Sequence, residues 1–118
     1  MTDDLTQLDE LAEELLGEAT HSSAHRAART LIAGNAPLRQ TVVALAAGAE
    51  MSEHENPGYA TVHILSGNAR LVAGSNTWEL RTASHLVVPN ERHSVRAETD
   101  TVLLLSVVLA KESLPIDA

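Results

Sequence analysis

From residue 26 onward the chain is a succession of short runs at 27–32, 38–47, 61–66, 69–73, 77–81, 85–88, 94–97 and 101–109, rich in Val, Leu, Ile and Thr. Turn-forming residues separate them: Gly34-Asn35, Gly67-Asn68, Gly74-Ser75-Asn76, Pro89-Asn90 and Thr99-Asp100. Short β-branched runs bounded by such turns are strands, and no helical period intervenes. The pattern predicts a mainly β fold of eight antiparallel strands, closed as a sandwich or barrel. A chain of 118 residues supplies one core and not two. With Tyr59 and Trp78 the only aromatics, that core is aliphatic. Trp78, after the Gly74-Ser75-Asn76 turn, reads as a large core filler.

The first 25 residues follow another period. Leu5, Leu8, Leu11, Ala12, Leu15 and Leu16 recur at spacings of three and four, which predicts an amphipathic helix over 3–16. Thr2 or Asp3 is placed to cap it and Gly17 to stop it. Glu13 and Glu14 near the expected end oppose the helix dipole, so packing rather than propensity must hold the helix. It is read as lying over the main domain with its acids in water; docking to another protein is the sharper alternative.

Seven of the 16 acidic residues lie in the first 18 positions, without a Lys or Arg among them, and the remainder is nearly neutral. Clustered basic residues are needed to displace counterions from phosphates. Their absence argues against nucleic acid and anionic membrane as partners. No apolar run approaches the ~20 residues of a membrane-spanning helix, and no signal pattern opens the chain. With no cysteine, disulfides, iron–sulfur clusters and thiolate zinc sites are excluded, and a cytoplasmic address is expected. There is no phosphate-binding or dinucleotide glycine motif and no nucleophile elbow. His93 and Ser94 are strand neighbours facing opposite ways, so they form no nucleophile pair.

Two runs are apolar on both faces: Thr41, Val42, Val43, Ala44, Leu45, Ala46, and Val102 through Leu109. A strand with one wet face alternates, so each requires a second cover: the helix, a partner subunit, or both. A homodimer is expected.

The stretch from Gly48 through His54, Glu55 and Asn56 to Gly67 resembles the first motif of the cupin superfamily. That motif runs glycine, five residues, His-x-His, a short gap, an acid, six residues and glycine. Ala83, Ser84 and the strand leading to Pro89 and His93 resemble the second. The likeness covers roughly residues 38–109 and points to small, single-domain bacterial cupins. It implies a jelly-roll barrel, often dimeric, over 26–112, preceded by the helix and connector at 1–25 and followed by a tail at 113–118. It also implies a divalent metal in the barrel mouth, held by two His and one acid of the first motif and one His of the second. His54 and His93 match two of these ligands. Asn56 stands at the second histidine position, Ala60 at the acid, seven residues before Gly67, and Ser84 at the turn aspartate.

Two imidazoles and an amide make a poor site for iron, manganese or nickel. Glu53 and Glu55 point opposite to His54 along an extended chain, and a neutral Tyr59 phenol seldom ligates these ions. His54 and His93 are therefore expected to hold a divalent Zn, Ni, Mn or Fe ion weakly or not at all. His63 should face outward, His85 opens a strand, and His21 and His25 are solvated in the connector. Asn56 and Tyr59 are expected to border the pocket, with Arg92 beside His93 as a carboxylate clamp. The function read from these residues is a non-catalytic barrel that binds a small molecule at His54, Asn56, Tyr59, Arg92 and His93. The alternative is a metal-dependent dioxygenase or isomerase with an atypical ligand set. A third is an oligomerising or regulatory protein that uses the acidic helix.

Overall fold

The computed structural model describes residues 4–32, 35–54 and 58–109, the side chains of 52–54 and 109 excepted. One helix, α1 (Leu8–His21), precedes the strands β1 (Arg26–Ile32), β2 (Leu38–Leu45), β3 (Glu50–His54), β4 (Gly58–Ser66) and β5 (Asn68–Ala73). These are followed by β6 (Asn76–Arg81), β7 (His85–Val87), β8 (His93–Ala97) and β9 (Thr101–Leu109). Every ladder is antiparallel, in a five-stranded sheet ordered β1-β2-β9-β4-β7 and a four-stranded sheet ordered β3-β8-β5-β6. The two sheets form a jelly roll around an aliphatic core. No helix of the described residues is long and apolar enough to cross a membrane.

Strand alternation sorts the side chains into two layers. Val43 and Leu45 of β2, Ala60, Val62 and Ile64 of β4, and Leu103 of β9 join Leu71, Leu80, Val95 and Ala97 of the other sheet in the inner core. Trp78 is half-buried and packs against that cluster, as a core filler should. The opposite faces of the same strands carry Val42, Ala44 and Val102, which pack with Leu11, Ala12, Leu15 and Ala19 of α1. The doubly apolar strands thus have their second cover from the helix. Beyond its reach the outer face stays open, with Leu38 37 %, Tyr59 56 % and Val87 67 % exposed.

The helix departs from expectation at both ends. It starts at Leu8 behind Gln7, which makes no side-chain cap, and runs past Gly17 to His21. Leu5 lies outside it, 68 % exposed. Gly17 fails as a stop because tertiary packing overrides its weak helix propensity: Leu15 and Ala19 on either side of it are both fully buried. The extension places Glu14 and Glu18 one turn apart over β1, where Arg29 reaches them at 2.8 and 3.5 Å. The hydrogen bond to Glu14, with the charges of both acids, raises the Arg29 guanidinium above its ordinary value.

Nine strands form among the described residues rather than eight. The additional one, β3, lies within what reads as a long connection. It is an edge strand whose one large apolar residue, Met51, packs inward, so its sequence carries no alternation. Its outer side instead begins a row of charge, Glu50–Arg96–Arg70–Glu79, across the four-stranded sheet. Arg70 bonds Glu79 at 2.7 Å and lies 3.4 Å from Glu98.

One turn keeps a conformation its residue does not favour. Ala83, which precedes β7, sits at φ 75° with its N–H on the Ile64 carbonyl at 2.8 Å. An L-residue is strained there and glycine is not. Ala83→Gly should raise stability by up to about 1 kcal/mol; a lower urea midpoint for the variant would show that the turn is relaxed.

Candidate functional site

His93 opens β8, is 3 % exposed, and alternates with the buried Val95 and Ala97. Pro89 leads into it through a tight turn in which Glu91 N–H donates to the Pro89 carbonyl at 2.9 Å. The His93 Nδ1 lies 3.1 Å from the Glu91 carbonyl oxygen. A carbonyl only accepts, so Nδ1 carries a proton and donates it. A backbone carbonyl on one ring nitrogen is the usual way of aiming the other at a ligand.

His54 stands opposite His93 in the ladder. The pairing depends on a register shift between Met51 and His54: Met51 faces Val95, and unbroken pairing would set residue 53 against His93. The bulge brings position 54 to His93 instead. Ala60, at the position of the motif's acid, is 3 % exposed and part of the inner core.

The remaining expected residues divide. Asn56 lies outside the described residues, as does Glu55. Arg92 is exposed beside His93. Tyr59 does not border the inner site. It neighbours the inward Ala60, so alternation sends it to the outer face, where it pairs with Val108 of β9 and is 56 % exposed. His63 also takes the outer face, as its parity requires, and His85 pairs with it. His21 bonds its own helix, Nδ1 lying 2.8 Å from the Gly17 carbonyl, and His25 is exposed.

The residues present do not fit the full cupin metal set. A methyl group replaces the carboxylate at Ala60, and among the described residues no three His, Asp or Glu side chains cluster as ligands. What the arrangement offers is a buried imidazole held at Nδ1 by a backbone carbonyl. One feature had no sequence signal. A cleft of about 390 Å³ opens beside the edge strand β1, lined by Arg26, Ala27, Ala28, Val43 and Met51. Ala28 and Val43 are ladder partners in one sheet, and Met51 comes from the edge strand of the other.

No family model matches the sequence, and no curated protein matches it. Solved structures do. A conserved Streptococcus pyogenes protein of unknown function is 30 % identical, with 77 % of this chain and 80 % of that one covered and a TM-score of 0.70. A cupin superfamily protein from Desulfitobacterium hafniense is 20 % identical over 93 % of this chain and 99 % of its own, with a TM-score of 0.72. The salicylate 1,2-dioxygenase of Pseudaminobacter salicylatoxidans is 23 % identical over 82 % of this chain, which spans 32 % of that enzyme, with a TM-score of 0.69. With its two antiparallel sheets, Gly67 and His93 in place, the chain has the cupin fold.

Proposed function

We propose that this protein is a small-molecule-binding cupin that lacks a complete catalytic metal centre. The observation that carries the reading is the pairing of a buried, hydrogen-bonded His93 with position 54, while alanine stands at the sequence position of the family's acid. Such a site holds a ligand by burial and a few hydrogen bonds. The cleft beside β1 is of ligand size, and Arg26 at its rim suits an acidic group.

Protein purified without a metal-affinity tag should contain iron, manganese, nickel and zinc well below one equivalent. In a thermal screen of small carboxylic acids and sugars, at least one compound should raise the melting temperature, and His93→Gln should abolish the rise. Near-stoichiometric metal that disappears in His93→Gln would overturn the reading in favour of the dioxygenase-like alternative.

We also propose a homodimer, with a second copy covering the open part of the outer face. Leu38, Val108 and Tyr59 form one row across three strands, and Val87 stands in the next row opposite Thr61. Sedimentation at micromolar concentration should give twice the chain mass; a monomer there removes the proposal.

A further inference from the structure

The outer face carries a second pair of histidines that the inner site does not use. His63 of β4 and His85 of β7 are direct cross-strand partners. Neighbouring bonds determine which kind of pair they form. Val88 N–H donates to the Ala60 carbonyl and Ile64 N–H to the Ser84 carbonyl, each at 2.9 Å. Those bonds make 60/88, 62/86 and 64/84 the hydrogen-bonded positions of the ladder. His63 and His85 therefore occupy a non-hydrogen-bonded position, where facing α-carbons are about 4.5 Å apart and side chains approach most closely. His85 is exposed, His63 is half-buried, and β7 is the edge of its sheet, so one side of the pair is open to solvent.

We propose that His63 and His85 form a two-imidazole site for a divalent transition-metal ion on the outside of the jelly roll. Imidazole pairs select copper, nickel or zinc over magnesium and calcium. No third acid or histidine joins them among the described residues, so the remaining coordination positions are left to water or an external ligand. The ion also has a structural consequence. At three residues β7 is the shortest strand described, and a bridge from His85 to His63 ties this edge to β4. Ion binding to the folded state then raises the melting temperature.

The test uses Cu(II) at about pH 7.5, where imidazole is deprotonated enough to bind, and starts from His93→Gln protein so that the inner pair cannot contribute. Calorimetry should find one ion per chain, electron paramagnetic resonance should report two nitrogen donors, and the melting temperature should rise by several degrees. His85→Ala, a change at an exposed edge position, should weaken binding at least tenfold and remove the thermal gain, and His63→Gln should do the same. Unchanged affinity after His85→Ala overturns the proposal. So does the loss of all binding in His93→Gln, which would assign the ion to the inner pair. Because His93 is already absent, failure of the small-molecule reading does not affect the result.

Discussion

Replacing Ala60 by glutamate is expected to destabilise the protein by on the order of 3–5 kcal/mol at about pH 7, the effect of a buried charge without a partner. The side chain enters the inner core at a position now 3 % exposed, where water cannot follow. Burial disfavours the charged form, so the new carboxyl titrates above the usual carboxylate range in the folded state. A folded value above the unfolded one makes the deficit complete above the folded value. It shrinks as pH falls toward the unfolded value of about 4.3. Urea unfolding should therefore show a smaller difference from wild type near pH 4.5 than near pH 7. Adding Asn56→His changes the outcome. With His54 and His93 the chain then has the three imidazoles and one carboxylate that its motifs imply. Nickel or manganese should raise the melting temperature of the double variant by several degrees, and not that of Ala60→Glu alone. An Ala60→Glu protein as stable as wild type near pH 7 would show that position 60 is open to water. A double variant indifferent to metal would show that positions 54, 56, 60 and 93 do not converge.

Gly67→Ala should be damaging for a different reason. The residue turns the chain from β4 into β5 at φ 98°, a conformation that strains L side chains. A β-carbon there also runs into the Asp100 carbonyl and lies 2.7 Å from the Thr101 hydroxyl. Neither neighbour can withdraw easily. Thr101 is fully buried, and its hydroxyl lies 2.7 Å from the Thr99 carbonyl and 2.9 Å from the Asn68 carbonyl, at the meeting of this turn with the one before β9. Strain and overlap together should remove about 3 kcal/mol or more. Gly17→Ala provides the contrast. That glycine lies within α1 with nothing within 4 Å of an added β-carbon, so the substitution should stabilise by about 1 kcal/mol. Urea midpoints that move the same way for both variants would refute this account of the two positions.

The cupin architecture was legible before any coordinates because its strands are short, β-branched and divided by turns, and because Gly67, Pro89 and His93 keep the motif spacing. Local chemistry carries such signals: a turn residue acts where it stands, and alternation reports the face it buries. Motif spacing marks Ala60 as the inward position, and parity relative to it sends His63 outward. Tyr59 is close to the motif in sequence, yet the same parity rule sends it away from Ala60 to the outer face.

Where the sequence misled, a long-range contact had displaced a local preference. The helix continues through Gly17 because Ala19 finds a buried place on the sheet. β3 forms from a polar segment because β8 offers a free edge. Register belongs to the same class. Opposing positions 54 and 93 requires a bulge, and opposing 63 and 85 requires an edge strand to return alongside β4. Those meetings are settled by hydrogen bonds between residues far apart in the chain, and a sequence read along one dimension contains no term for them.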